Sequence, residues 1–125
     1  AKPQKKKYLK KSINILEKQN DANLKWRSKV NYELKNDYKK IFKKIDRLIF
    51  LKVPSFECVY KWRLLQEKKL QLTSGNKKIM SALQVRKFIM YYERITKQML
   101  IDLTTKAYAV LYLDKKHRFN RIKFN

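Results

Sequence analysis

The densest set of chemically capable side chains in the sequence is the run Val59-Tyr-Lys-Trp-Arg-Leu-Leu-Gln-Glu67. On a helix, Arg63 and Glu67 stand one turn apart and can pair, while Trp62 and Gln66 share the neighbouring face. Two readings fit this spacing. One is a surface ion pair beside a packed tryptophan, the commoner outcome for an isolated charge pair. The other is a helix that closes over a phosphate-bearing ligand, its arginine spreading positive charge over the transferring group. A second set, Tyr91-Tyr-Glu-Arg-Ile-Thr96, puts Tyr92, Glu93 and Arg94 on or beside an apolar helical face, where a network docking that helix is the simplest use. A third candidate, His117, follows the last apolar run of the chain. Open α/β sheets bind ligands beyond the carboxyl ends of their strands, although a lone histidine there is more often incidental.

The charge balance bears on partners. Among 125 residues there are 33 Lys and Arg against 10 Asp and Glu, a net charge of +23. Such an excess suits an anionic partner: nucleic acid, anionic lipid or a phosphate ligand. A coding bias toward Lys, Asn, Ile and Tyr explains it equally well. Basic residues interleaved with aromatics at Lys5 to Lys11, Lys39 to Lys44 and Arg118 to Lys123 fit RNA by charge and stacking, but form no recognised motif. A single cysteine, Cys58, excludes an internal disulfide, and with His117 as the only histidine most zinc schemes fall away, so no metal ligands are assigned. No stretch approaches a membrane span, and the basic N-terminus lacks the apolar core of a signal peptide. The expectation is a soluble cytoplasmic chain with no membrane partner.

One glycine occurs, Gly75. A loop that cradles phosphates needs several, so that backbone N–H groups can approach the anion. Nucleotide chemistry would have to borrow that loop from residues outside this sequence. The start at Ala1 rather than Met carries the same expectation of a longer parent.

These side chains need elements to position them. Residues 1–23 read as an irregular lead-in with one apolar knot at Ile13, Ile15 and Leu16. Leu24 to Lys44 reads as a helix, with Trp26, Val30, Leu34, Tyr38, Ile41 and Phe42 at spacings of three and four. Leu48 to Leu51 is a continuous apolar run ended at Pro54, the mark of a strand buried on both faces. Ser55 can cap the next helix, to Leu72. Thr73-Ser74-Gly75-Asn76 breaks the pattern. Ser81 and Gln84 form a capping box for a helix to Leu103, lined by Val85, Phe88, Ile89, Tyr92, Ile95, Met99 and Leu103. Tyr108 to Leu113 reads as a second buried strand, and the tail, with Phe119, Ile122 and Phe124 between basic residues, can add edge structure. The order is helix, strand, helix, helix, strand. Two such strands do not make a stable sheet alone, so the chain reads as one partial α/β domain over 1–125: lead-in 1–23, helix and strand 24–53, lid-type helices 54–103, last strand and basic tail 104–125.

Taken in order, the blocks Ala1-Lys-Pro-Gln4, Trp26-Arg27, Val30-Asn31, Tyr38, Ile45-Asp46, Pro54-Ser-Phe-Glu57, Val59 to Glu67, Met80-Ser81, Val85, Phe88, Tyr92-Glu-Arg94 and Val110 to Asp114 resemble the C-terminal half of the D-glycerate 3-kinase family. The block around Trp62 and Arg63 is the most specific. The resemblance implies a P-loop kinase fold related to uridine and pantothenate kinases, here its helix-rich C-terminal part with the phosphate loop absent. It implies ATP and Mg²⁺ as cofactors and a small hydroxy acid as acceptor, with the phosphate loop and metal-binding acid upstream, so that the piece alone is inactive. Carried over residue by residue, it implies Arg63 as the catalytic lid residue touching phosphate, and Trp62, Gln66 and Glu67 as its support. Lys2 and Gln4 would lie at the acceptor, and Lys116 and His117, in the loop Asp114 to Arg118, by the adenine. The sequence departs from the family in its abundance of lysine and in the short loop from Thr73 to Lys78. A basic RNA-binding or ribosome-associated protein is the alternative.

Overall fold

The computed structural model describes residues 1–73 and 79–125. The elements run α1 (Lys6–Lys10), α2 (Ile15–Asn20), α3 (Lys25–Lys35), α4 (Asp37–Phe42), β1 (Ile49–Lys52), α5 (Phe56–Thr73), α6 (Ala82–Asp102), β2 (Ala109–Leu113) and β3 (Phe119–Phe124). Most of the loop expected at Thr73 to Asn76 lies outside the described residues, while Thr73 itself ends α5.

The lead-in is not irregular; it holds two short helices. The second starts where Asn14 accepts the Glu17 backbone N–H through its side-chain oxygen at 2.9 Å, an N-cap. The Asp21 carboxylate performs the same service for α3, accepting from the backbone N–H groups of Trp26 (2.7 Å) and Arg27 (3.1 Å). Leu24 stands at the cap itself in the left-handed region, φ 62°.

The expected helix from Leu24 to Lys44 is two helices, broken at Asn36. Asn36 sits at φ −106°, ψ −85°, and its side-chain amide donates to the Tyr32 carbonyl at 2.9 Å. Asparagine competes with the helix for backbone partners. The apolar spacing continues across the break through Tyr38, Ile41 and Phe42, which is why periodicity alone runs through it.

The sheet has three strands in the order β1-β2-β3. β1 pairs with β2 in parallel, from Ile49 opposite Ala109 to Lys52 opposite Tyr112. β2 pairs with β3 antiparallel, with a register shift at Tyr112 and Leu113. The tail therefore forms a full edge strand. The expectation that β1 is buried on both faces is wrong for this chain: Ile49 and Leu51 are 62% and 58% exposed. Among the described residues β1 stands at the edge of the sheet. Alternation puts Ile49 and Leu51 on one face with Leu111, Ile122 and Phe124 of their paired neighbours, and that apolar face is largely bare. Val110, which alternates to the other face, is fully buried.

Between β1 and β2 run α5 and α6, packed against each other. Ser55 caps α5 by accepting from the Cys58 backbone N–H at 3.4 Å. The Ser81–Gln84 capping box is present in both directions, at 3.3 and 2.8 Å. Val85 and Ile89 are the buried apolar residues of α6, and each such side chain contributes about 1.5–3 kcal/mol by leaving water. Tyr92, expected on this stripe, is 54% exposed and meets Phe88 edge-on at 5.3 Å. Glu93 takes the buried position instead.

Candidate functional site

Two clusters gather the candidate residues. The first joins α5 to the β2–β3 turn. Asp114 builds that turn: one carboxylate oxygen accepts the backbone N–H groups of Lys116 (2.8 Å) and Arg118 (2.9 Å), and the other takes the Arg118 guanidinium. These bonds, the Arg118 backbone amide first, hold the Asp114 carboxyl below its ordinary pKa. The turn drives His117 into the left-handed region, φ 66°. Its ring then lies on Trp62, centroids 3.6 Å apart and planes tilted by 48°. The Trp62 indole N–H donates to the Lys115 carbonyl at 3.2 Å. Residues 53 positions apart are thus locked together.

Beside this stack opens a groove of about 500 Å³, lined by Val53, Val59, Trp62, Arg63, Leu65, Gln66, Lys69 and His117. Arg63 forms its ion pair with Glu67 at 2.5 Å and reaches the Gln66 side-chain oxygen at 3.2 Å. Glu67 is buried, and its second oxygen accepts the Met80 backbone N–H at 2.9 Å, tying α5 to the segment that leads into α6. The Arg63 side chain remains 25% exposed at the groove wall, so the ion-pair and ligand-facing readings are both compatible with its position. Lys116 is exposed, and its contact is the backbone bond to Asp114.

The second cluster is built on Arg94. Its guanidinium donates to both Glu17 oxygens (2.7 and 2.6 Å), to the Gln4 side-chain oxygen (3.1 Å), and to the carbonyls of Tyr8 (3.1 Å) and Lys11 (2.7 Å). Glu93 accepts from Asn14 at 2.9 Å and from Lys97 at 2.5 Å. Together Glu93 and Arg94 fasten the N-terminal segment to α6. Burial pushes the Glu17 pKa up, but the Arg94 hydrogen bonds, the Ile13 amide and the charges of Arg94 and Arg27 outweigh it, and the net shift is downward.

Gln4 is spoken for. Its amide donates to Gln98 at 2.9 Å, and its backbone exchanges two bonds with Asn31 (2.6 and 3.1 Å). Lys2 is exposed, and a hydrogen bond and like charge from Lys106 lower its pKa. The structure thus brings Trp62, Arg63, Gln66, Glu67 and His117 to one place and Gln4, Glu93 and Arg94 to another. Tyr92 joins neither network through a hydrogen bond among those of the described residues.

Sequence reasoning passed over the buried Arg27, which donates to the carbonyls of Leu9 (2.7 Å) and Asp21 (2.8 Å) and to the Asp21 carboxylate (3.1 Å). It also passed over Asp21, Glu17 and Asn14. The legible signal was Asn14-x-x-Glu17, a cap followed three residues on by an acid. Among the described residues no three of His, Cys, Asp and Glu gather as a metal site.

No family model matches this sequence, and no curated protein matches it. A solved structure does: a D-glycerate 3-kinase from Cryptococcus neoformans var. grubii serotype A, at TM-score 0.68 and 23% identity, over 78% of this chain and 35% of that one. The chain has the fold of part of that kinase. It spans about a third of the kinase's length. The relationship is one of fold: mixed α/β, helix-rich, with a small three-stranded sheet. No helix among the described residues is long and apolar enough to cross a membrane.

Proposed function

We propose that this chain is the lid and last-strand portion of an ATP-dependent kinase acting on a small hydroxy acid such as D-glycerate. The observation that carries the reading is the Trp62–His117 contact, which closes α5 onto the β2–β3 turn and leaves Arg63 on the wall of the groove between them. The fold likeness to a D-glycerate 3-kinase supports it.

The groove suits a nucleotide in size, since small-molecule sites run from about 300 to 1,000 Å³. Its aromatic end offers faces to a base, and Arg63 and Lys69 offer charge to the phosphates. In phosphoryl transfer, positioning and charge stabilisation supply most of the catalysis. Arg63 would contribute a cation already oriented by Glu67, and Trp62, Gln66 and Glu67 would hold the helix that presents it. Lys116 and His117 would border the adenine. Magnesium, when bound, would supply charge neutralisation to the phosphates, and its ligands would come from outside these 125 residues; the phosphate loop would too, because the sequence holds a single glycine. At the acceptor, Lys2 beside Lys106 would meet the carboxylate, while Gln4 would act through its bond to Arg94.

The test is nucleotide binding read at Trp62. In a Trp26→Phe background of the polypeptide that joins this chain to a phosphate loop, saturating MgATP should change the remaining emission, and His117→Ala should reduce that change. Emission indifferent to MgATP at millimolar concentration would remove the reading.

A further inference from the structure

The elbow between α3 and α4 makes a second concavity, far less apolar than the first. Tyr32, Lys35, Asn36, Lys39, Lys40 and Lys43 line an open groove of about 410 Å³, with Asp37 as its one acid. Lys40 pairs with Asp37 at 3.0 Å. Lys35, Lys39 and Lys43 have no carboxylate within 4.0 Å among the described residues. Three lysines without a carboxylate partner therefore line one hollow, an excess of positive charge that suits an anion. Tyr32 stands 60% exposed on its rim, and Lys29 lies over the ring at 5.6 Å.

A row of cations in a groove with an exposed aromatic ring beside it is the arrangement that holds a single-stranded nucleic acid, charge on the phosphates and ring on a base. We infer that the α3–α4 elbow binds the phosphodiester backbone of single-stranded nucleic acid, with Tyr32 stacking on one base. The break at Asn36 creates the hollow, because a continuous helix would carry the same lysines around a convex surface. This surface is separate in its residues from the Arg63 groove and stands or falls independently of the kinase reading.

The test is fluorescence anisotropy of the full 125-residue chain with labelled 12-mers of oligouridylate and oligodeoxythymidylate. Three phosphate contacts predict a log–log salt slope of about −2, so affinity falls roughly 20-fold between 50 and 200 mM salt. Lys35→Gln, Lys39→Gln and Lys43→Gln together should weaken binding at least about tenfold and flatten the slope, with the circular dichroism unchanged. Tyr32→Ser alone should weaken it about tenfold. The same triple change at Lys61, Lys68 and Lys87, exposed on α5 and α6, should cost less than about threefold. Equal losses from the two triples would overturn the inference in favour of diffuse charge. So would lysine-dependent binding to phosphatidylglycerol vesicles with none to either oligonucleotide.

Discussion

Arg94 offers the sharpest physical prediction. Arg94→Ala removes both guanidinium bonds to Glu17, the bond to Gln4 and those to the Tyr8 and Lys11 carbonyls. Glu17 is 2% exposed and would keep one side-chain partner, the Ile13 backbone N–H at 3.0 Å. A buried carboxylate stripped of its partner typically costs about 3–5 kcal/mol. That is a large share of the roughly 5–15 kcal/mol that holds a domain together. Arg94→Lys keeps the charge, but one ammonium cannot span Glu17, Gln4 and two carbonyls; its cost should be about 1–3 kcal/mol. Double replacement by Arg94→Met and Glu17→Gln should recover part of the loss, because no bare charge remains. The assay is urea unfolding followed by tryptophan emission and far-ultraviolet circular dichroism, with limited proteolysis of residues 1–23 alongside. A loss below about 1 kcal/mol for Arg94→Ala, with the N-terminal segment still protected, would refute the reasoning that this network fastens the segment to α6.

Three further outcomes follow from the same structure. The Glu17 pKa is lower folded than unfolded, so its contribution is full above the ordinary carboxylate range and is lost as pH falls through the depressed folded value; acid should release the N-terminal segment first, visible as early proteolytic cutting before Leu24, and Glu17→Gln should flatten that dependence. Asp114 is depressed in the same sense, so lowering the pH should also loosen the β2–β3 turn and shift Trp62 emission, and Asp114→Ala should do so at neutral pH. Ser81→Ala removes the bond the Ser81 hydroxyl accepts from the Gln84 backbone N–H and should cost about 1 kcal/mol in urea unfolding.

What the sequence disclosed was what local chemistry decides. Ser55 and the Ser81–Gln84 box announce helix starts; β2 falls within the apolar run assigned to it, β1 overlaps its run and extends one residue past it to Lys52, and β3 forms from the alternating tail. The break at Asn36 was hidden because the apolar spacing crosses it undisturbed. Residues 1–23 looked irregular because their helices are stabilised from a distance, by Arg27 and Arg94, rather than by an apolar stripe of their own. The exposure of Ile49 and Leu51 was equally unreadable: a continuous apolar run reports what a strand is suited to, not what covers it. Of the groove, the helical pairing of Arg63 with Glu67 was legible from spacing. That Trp62 would meet His117 was not, since the contact depends on a left-handed residue in a turn built by Asp114.

The placement of Arg63 also changes how its role is tested. Arg63→Ala would strand the buried Glu67, so lost activity would mix with lost stability. Arg63→Lys keeps the pairing and removes the fork. The most direct measurement is therefore acceptor-dependent ATP consumption by the polypeptide that joins this chain to a phosphate loop, compared between the native protein and Arg63→Lys at matched melting temperature. The kinase account predicts turnover only when a hydroxy acid such as D-glycerate is present, and a kcat lowered roughly 10²-fold by the substitution. ATP consumption indifferent to the hydroxy acid, or a kcat untouched by Arg63→Lys, would contradict it.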